Sequence, residues 1–141
     1  MASRHLSIRI PNDTFTRLDE ESRRSGRTRS DLAKTLIEEG LRMERHPGII
    51  FRAGPVGRRP GLAGGPDVWE VARLLQETEL TGDALIARTA ELIDLTSTQI
   101  RAVVSYYAAH QEEIDDWIEL VDEHARLAEE AWRREEELLG R

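Results

Sequence analysis

Four of the chain's five prolines and six of its ten glycines fall between residues 47 and 66. Proline removes an amide donor and clashes with the preceding helical turn, and glycine costs a helix about 1 kcal/mol per residue. Residues 47–66 are therefore expected to form turns and short strands rather than helix. This interruption divides the 141 residues. Residues 1–46 show period-2 and then helical patterning. From Asp67 onward no proline occurs, and only Gly82 and Gly140 break a helical pattern. The expected organisation is mainly α. It comprises a strand-plus-two-helix module at 1–46, the Gly/Pro-rich segment at 47–66, a helical module at 67–110 and an acidic amphipathic helix at 111–141.

The net charge of −7 conceals an asymmetry along the chain. Residues 1–60 carry 13 Lys/Arg against 8 Asp/Glu, and residues 61–141 carry 7 against 19. A basic first part joined to an acidic second part implies two partners of opposite character, with nucleic acid suited only to the first.

Residues His5-Leu6-Ser7-Ile8-Arg9-Ile10 alternate strictly, as a half-buried strand does. Leu6, Ile8 and Ile10 share one face, and His5, Ser7 and Arg9 share the other. Pro11 ends the segment, and Asn12 or Asp13 is placed to cap a helix carrying Phe15 and Leu18. Gly26 supplies a left-handed stop. Thr28, with Asp31 three residues on, opens a second helix whose apolar stripe is Leu32, Ala33, Leu36, Ile37 and Leu41. A lone strand leaves both edges unpaired, and so few residues bury too little core to stand alone. A second copy of the chain solves both problems: two strands pair antiparallel over an interlocked four-helix core.

The strand "HLSIRIP", the helix around "FTRLDEES", the turn "SGRTRSDL" and the helix "LAKTLIEEGLR" together resemble the ribbon-helix-helix DNA-binding repressors of the CopG, Arc and MetJ type. The resemblance covers residues 4–45. It implies that His5, Ser7 and Arg9 enter the major groove, where Arg9 can fork onto guanine. It also implies that the amides at Thr28, Arg29 and Ser30 hold a backbone phosphate, with Arg23, Arg24 and Arg27 adding charge contacts. The alternative is a module that only dimerises, its polar face solvated.

In the middle of the chain, Ile49-Ile50-Phe51 and the neighbourhood of Leu62 read as short strands about a turn at Gly57-Arg58-Arg59-Pro60. Asp67 caps a helix carrying Val68, Val71, Ala72, Leu74 and Leu75. A second helix carries Leu85, Ile86, Ala90 and Ile93. Thr96 and Gln99 are spaced as a capping box for a third, whose expected buried face is Ile100, Val103, Val104, Tyr107 and Ala108. Two helices joined by a short polar turn suit a helix-turn-helix. The order "GRRPGL", "DVWEVARLL", "LTSTQIRAVVSYYA" is similar to small antitoxin-like domains with a Gly-Thr-Arg-Ile turn and a C-terminal helix-turn-helix, often encoded beside PIN-like ribonuclease toxins. This chain departs from that pattern in having Gly57-Arg58-Arg59 at the turn and a longer stretch between Leu75 and Ile93. Arg58 and Arg59 are either solvated turn charge or a phosphate or partner contact. Ser97, Thr98 and Arg101 either line a recognition helix or serve structure alone.

Along 111–141 the apolar positions Ile114, Ile118, Val121, Ala125, Ala128, Trp132 and Leu139 recur in steps of three and four, with Glu135 filling the remaining site, amid 12 acidic and 4 basic side chains. Trp117, Ile118, Val121 and Trp132 are the candidate partner-binding residues, the alternative being a stripe that packs on its own dimer.

With no cysteine, disulfides, thiolate metal sites and cysteine nucleophiles are excluded. The four histidines lack metal spacing, and "GLAGG" lacks the lysine of a phosphate-cradling loop. No apolar run spans a bilayer and no charged-apolar-small leader opens the chain. The expectation is a cytoplasmic, non-enzymatic protein without cofactor or metal. It would bind operator DNA as a homodimer, with a higher oligomer on DNA compatible, and neutralise a cognate toxin. A stand-alone transcriptional regulator and a non-DNA-binding dimeric adaptor are the alternatives.

Overall fold

The structure is a computed structural model describing residues 2–54 and 57–140. It is mainly helical, with six helices and one two-stranded antiparallel sheet among those residues. The chain divides into two compact units, Met1–Arg42 and Met43–Arg141.

The first unit contains α1 (Asn12–Ser25) and most of α2 (Arg29–Arg45). Gly26 ends α1 at φ 70°, the left-handed conformation that glycine adopts without penalty. Thr28 caps α2, its Oγ1 accepting from the Asp31 amide at 3.1 Å. Pro11, rather than Asn12 or Asp13, occupies the residue before α1. Asp13 instead lies inside the first turn, where the positive end of the helix favours a carboxylate. The strand expected over residues 5–10 is not formed in the single chain. A strand is defined by a hydrogen-bonded neighbour, and the first unit of one chain offers none. Packing is correspondingly thin: α1 has no buried residue, and α2 buries only Leu32 and Glu39.

The second unit closes a core of its own. β1 (Ile49–Arg52) pairs with β2 (Arg59–Leu62), Ile49 opposite Leu62 and Arg52 opposite Arg59. Arg59 and Pro60, expected in the turn, lie in β2. Proline is tolerated there because position 60, like Leu62, whose amide donates to the Pro66 carbonyl, directs its nitrogen away from β1, so no bond of the two-stranded ladder is lost. Four helices follow: α3 (Val68–Glu77), α4 (Gly82–Leu92), α5 (Ser97–Ala109) and α6 (Gln111–Leu138). The Thr96–Gln99 capping box forms as spaced, with the Gln99 amide donating to Thr96 Oγ1 and the Thr96 amide to Gln99 Oε1. Asp94, at φ 53°, turns the chain between α4 and α5; aspartate is among the few side chains that accept that conformation.

α3 packs against α4, α5, α6 and β2, and α5 lies against both strands. Ile49, Leu62, Val68, Val71, Ile100, Val103 and Ile114 fill the centre. At about 1.5–3 kcal/mol for each large aliphatic side chain removed from water, this core gives the second unit an independent drive to fold. On α5 the buried tyrosine is Tyr106, not Tyr107, and Ala108 is exposed. The Tyr106 ring packs edge-on against His46 and Phe51. Tyr107 instead sits at the margin of the core, where its hydroxyl can reach polar partners.

Candidate functional site

His5, Ser7 and Arg9 are all exposed, as a reading face requires. Their apolar counterparts are exposed as well, Leu6 at 67% and Ile8 at 63%. The unshielded alternation continues onto the helices, where Phe15, Leu36, Ile37 and Leu41 are exposed too.

The turn between α1 and α2 brings the expected phosphate-binding residues together, but with carboxylates among them. Arg23 pairs with Asp19 at 2.7 Å, Arg24 with Glu21, and Arg29 with Asp19 at 3.3 Å. Arg27 reaches Asp31 at 3.0 Å and Thr35 at 2.7 Å. The Arg29 guanidinium also lies over the Phe15 ring, 5.0 Å from its centroid. Ser30 is exposed, while Thr28 is engaged in capping. These arginines are held in place by ion pairs that an incoming phosphate must share or displace.

A second cluster lies on the hairpin of the other unit. Arg52 and Arg59 face each other across the strands, a like-charge pairing that would weaken the hairpin if left uncompensated. Asp67, 7% exposed, supplies the compensation. It accepts from Arg52 Nη2 at 2.9 Å, from Arg59 Nε, and from Trp69 Nε1 at 3.2 Å. Arg52 also donates to the carbonyls of Leu62 and Gly65. The two guanidinium groups lie so close to the backbone that a Cβ at Gly61 would strike Arg52, and one at Gly54 would strike Arg59. Beside this cluster, Arg52, Arg59, Trp69, Glu70, Trp117 and Val121 line an open groove of about 480 Å³. The sequence pattern marked Asp67 as a helix cap only; "RPG" and "GPDVW" lie close along the chain, but nothing in their spacing reveals that both arginines fold onto one carboxylate.

Arg59 is thus committed to Asp67, and Arg58 lines a smaller recess with Trp69 and Trp117. Ser97 and Thr98 are exposed at the start of α5, and Arg101 pairs with Asp83 of α4 at 2.7 Å.

The four residues expected to bind a partner separate. Ile118 is buried with Ile114 in the core of its own unit, because the first two turns of α6 pack on α3 and α5. Trp117 and Val121 are half-buried walls of the groove. Trp132 is 59% exposed. Polar ties fix the root of the helix: Tyr107 donates to Asp115, Gln76 donates to Tyr107 Oη at 2.6 Å, and Arg73 pairs with Asp122. Burial, and then the hydrogen bond to Asp115, raise the Tyr107 hydroxyl above its ordinary pKa of 10.0. Farther out, the Arg126 hydrogen bond holds Glu123 below the usual carboxylate range.

Among the described residues no helix is long and apolar enough to cross a membrane, and no three His, Asp or Glu side chains are placed to hold a metal ion. Compared with known proteins, the chain matches no family model, no curated protein and no solved structure.

Proposed function

We propose that the chain is a cytoplasmic, homodimeric DNA-binding antitoxin. In this reading residues 5–10 of two copies pair as a ribbon that reads an operator, and the C-terminal region holds a cognate toxin. One observation carries the DNA-binding half: Leu6, Ile8 and Ile10 lie exposed in strict alternation with His5, Ser7 and Arg9, next to two helices whose apolar faces are also uncovered. Pairing with a second copy would cover both faces and leave Arg9 projecting from the polar side. Support for the toxin-binding half is the exposed, acidic outer length of α6 with Trp132 upon it.

The ion pairs at Arg23, Arg24, Arg27 and Arg29 favour a second reading, a dimeric adaptor without DNA contact, because they reduce the positive charge available to phosphates. Titration of the full chain with DNA from upstream of its own coding sequence separates the two. The antitoxin reading expects tight binding that weakens steeply with salt. It also expects Arg9→Ala to lose about 1–3 kcal/mol of discrimination while remaining dimeric. Equal operator affinity for Arg9→Ala and the parent would remove Arg9 as a reader, and no salt-dependent binding at all would favour the adaptor.

A further inference from the structure

The outer part of α6 carries a pattern that specifies its partner beyond the general reading above, on which this inference rests. Leu120, Leu127, Trp132, Leu138 and Leu139 are all exposed, between 40% and 88%. Helical spacing places them on one broad face with Val121, Ala125, Ala128 and Ala131, a face interrupted by His124 and Glu135. Carboxylates border that face on both sides at seven-residue intervals. Asp115, Asp122, Glu129 and Glu136 run along one edge, and Asp116, Glu123, Glu130 and Glu137 along the other.

At the root Asp115 is tied to Tyr107 and Asp122 to Arg73, and farther out some of the charge is balanced on the helix itself, by Arg126 with Glu123 and Glu130 and by Arg133 with Glu129. Residues 122–140 still hold seven carboxylates, Glu135 among them on the apolar face itself, against three arginines and the Arg73 partner of Asp122, so the outer helix remains net negative. The ion pairs are three and four residues apart and stabilise the helix before anything docks.

The charge pattern selects among occupants. A second α6 would bring acidic borders against acidic borders, and like charges meeting along the edges of an apolar face oppose association. Nucleic acid is repelled for the same reason. A lipid surface is a poor match, because helices that lie in membrane interfaces carry basic rather than acidic polar faces. We infer that the outer length of α6 docks into an apolar groove on a different protein, lined along both walls by lysine or arginine, with Trp132 as the anchoring side chain.

The inference is tested on the full chain with two labelled peptides of residues 111–140. One is unaltered; the other carries Asp122→Lys, Glu123→Lys, Glu129→Lys and Glu130→Lys. Both present the same apolar face, so their difference isolates the borders. The lysine peptide is expected to bind at least about 100-fold tighter than the unaltered one at low salt. High salt should erase most of that advantage, and Trp132→Ala in the chain should weaken binding about tenfold. Equal binding of the two peptides, tighter binding of the unaltered one, or no binding of either at low salt would overturn the inference. DNA titration of the same preparation keeps the failures apart. A chain that takes the lysine peptide but no DNA contradicts the antitoxin reading alone; one that takes DNA but not the peptide contradicts this inference alone.

Discussion

The two units of this chain are both helical, yet they differ in how they handle apolar surface. The Met43–Arg141 unit closes a core of Ile49, Leu62, Ile100 and Ile114 around Tyr106, leaving Leu80, Leu92 and the outer leucines of α6 exposed, and locks the hairpin with one carboxylate between two arginines. Among its described residues the Met1–Arg42 unit buries a single hydrophobic one, Leu32, and leaves Leu6, Ile8, Phe15, Leu36, Ile37 and Leu41 in water. The contrast does not come from a shortage of apolar residues, since both regions pattern them regularly. It comes from chain length and connectivity. A hairpin and four helices can enclose a core, whereas two helices and an unpaired segment cannot. The second unit thus encloses a core of its own, and the first leaves most of its apolar face uncovered.

The largest test of this contrast removes the centre of the closed core. Tyr106→Ala should cost the second unit about 3–5 kcal/mol, as for a large buried aromatic. Its thermal transition should fall equally at every protein concentration, while self-association is unchanged. A loss that depends on concentration would mean that the second unit also relies on a partner copy.

Next in size is Asp67→Ala, which leaves Arg52 and Arg59 facing each other without their shared carboxylate. A loss of about 3 kcal/mol is expected, toward the lower end for a broken buried ion pair because both guanidinium groups are partly exposed. Raising the salt concentration should return part of it by screening the two arginines, measured by denaturant unfolding. Smaller again is Thr96→Ala, which deletes the cap of α5 and should cost about 1 kcal/mol. Its effect, too, should be confined to the second unit, and a change in dimer affinity would blur the division.

The legible parts of the fold were those fixed by neighbours in the chain. The stop at Gly26, the cap at Thr28, the Thr96–Gln99 box and the strands about Ile50 and Leu62 each follow from residues within a few positions of one another. What stayed hidden depends on distant parts. Tyr106 rather than Tyr107 enters the core because the hairpin residue Phe51 and His46 set the rotation of α5. Ile118 joins the core rather than a partner surface because α3 lies across the root of α6. The carboxylate shared by Arg52 and Arg59 needs the hairpin to close before it exists. Residues 5–10 are the extreme case: their alternation is plain in the sequence, but the strand it describes requires a neighbour outside the first unit of one chain.

A second copy is proposed to cover the exposed apolar face of the first unit. Sedimentation equilibrium of the full chain, alongside Ile8→Asp, tests it most directly. Ile8 lies at the middle of the alternating segment, 63% exposed in the single chain, so aspartate there costs the isolated monomer little while placing a charge inside the expected ribbon. The parent should sediment at twice 16.1 kDa and Ile8→Asp at 16.1 kDa, with the second unit still folded. A monomeric parent, or an Ile8→Asp chain that dimerises as tightly as the parent, would show that no second copy covers this face through residues 5–10.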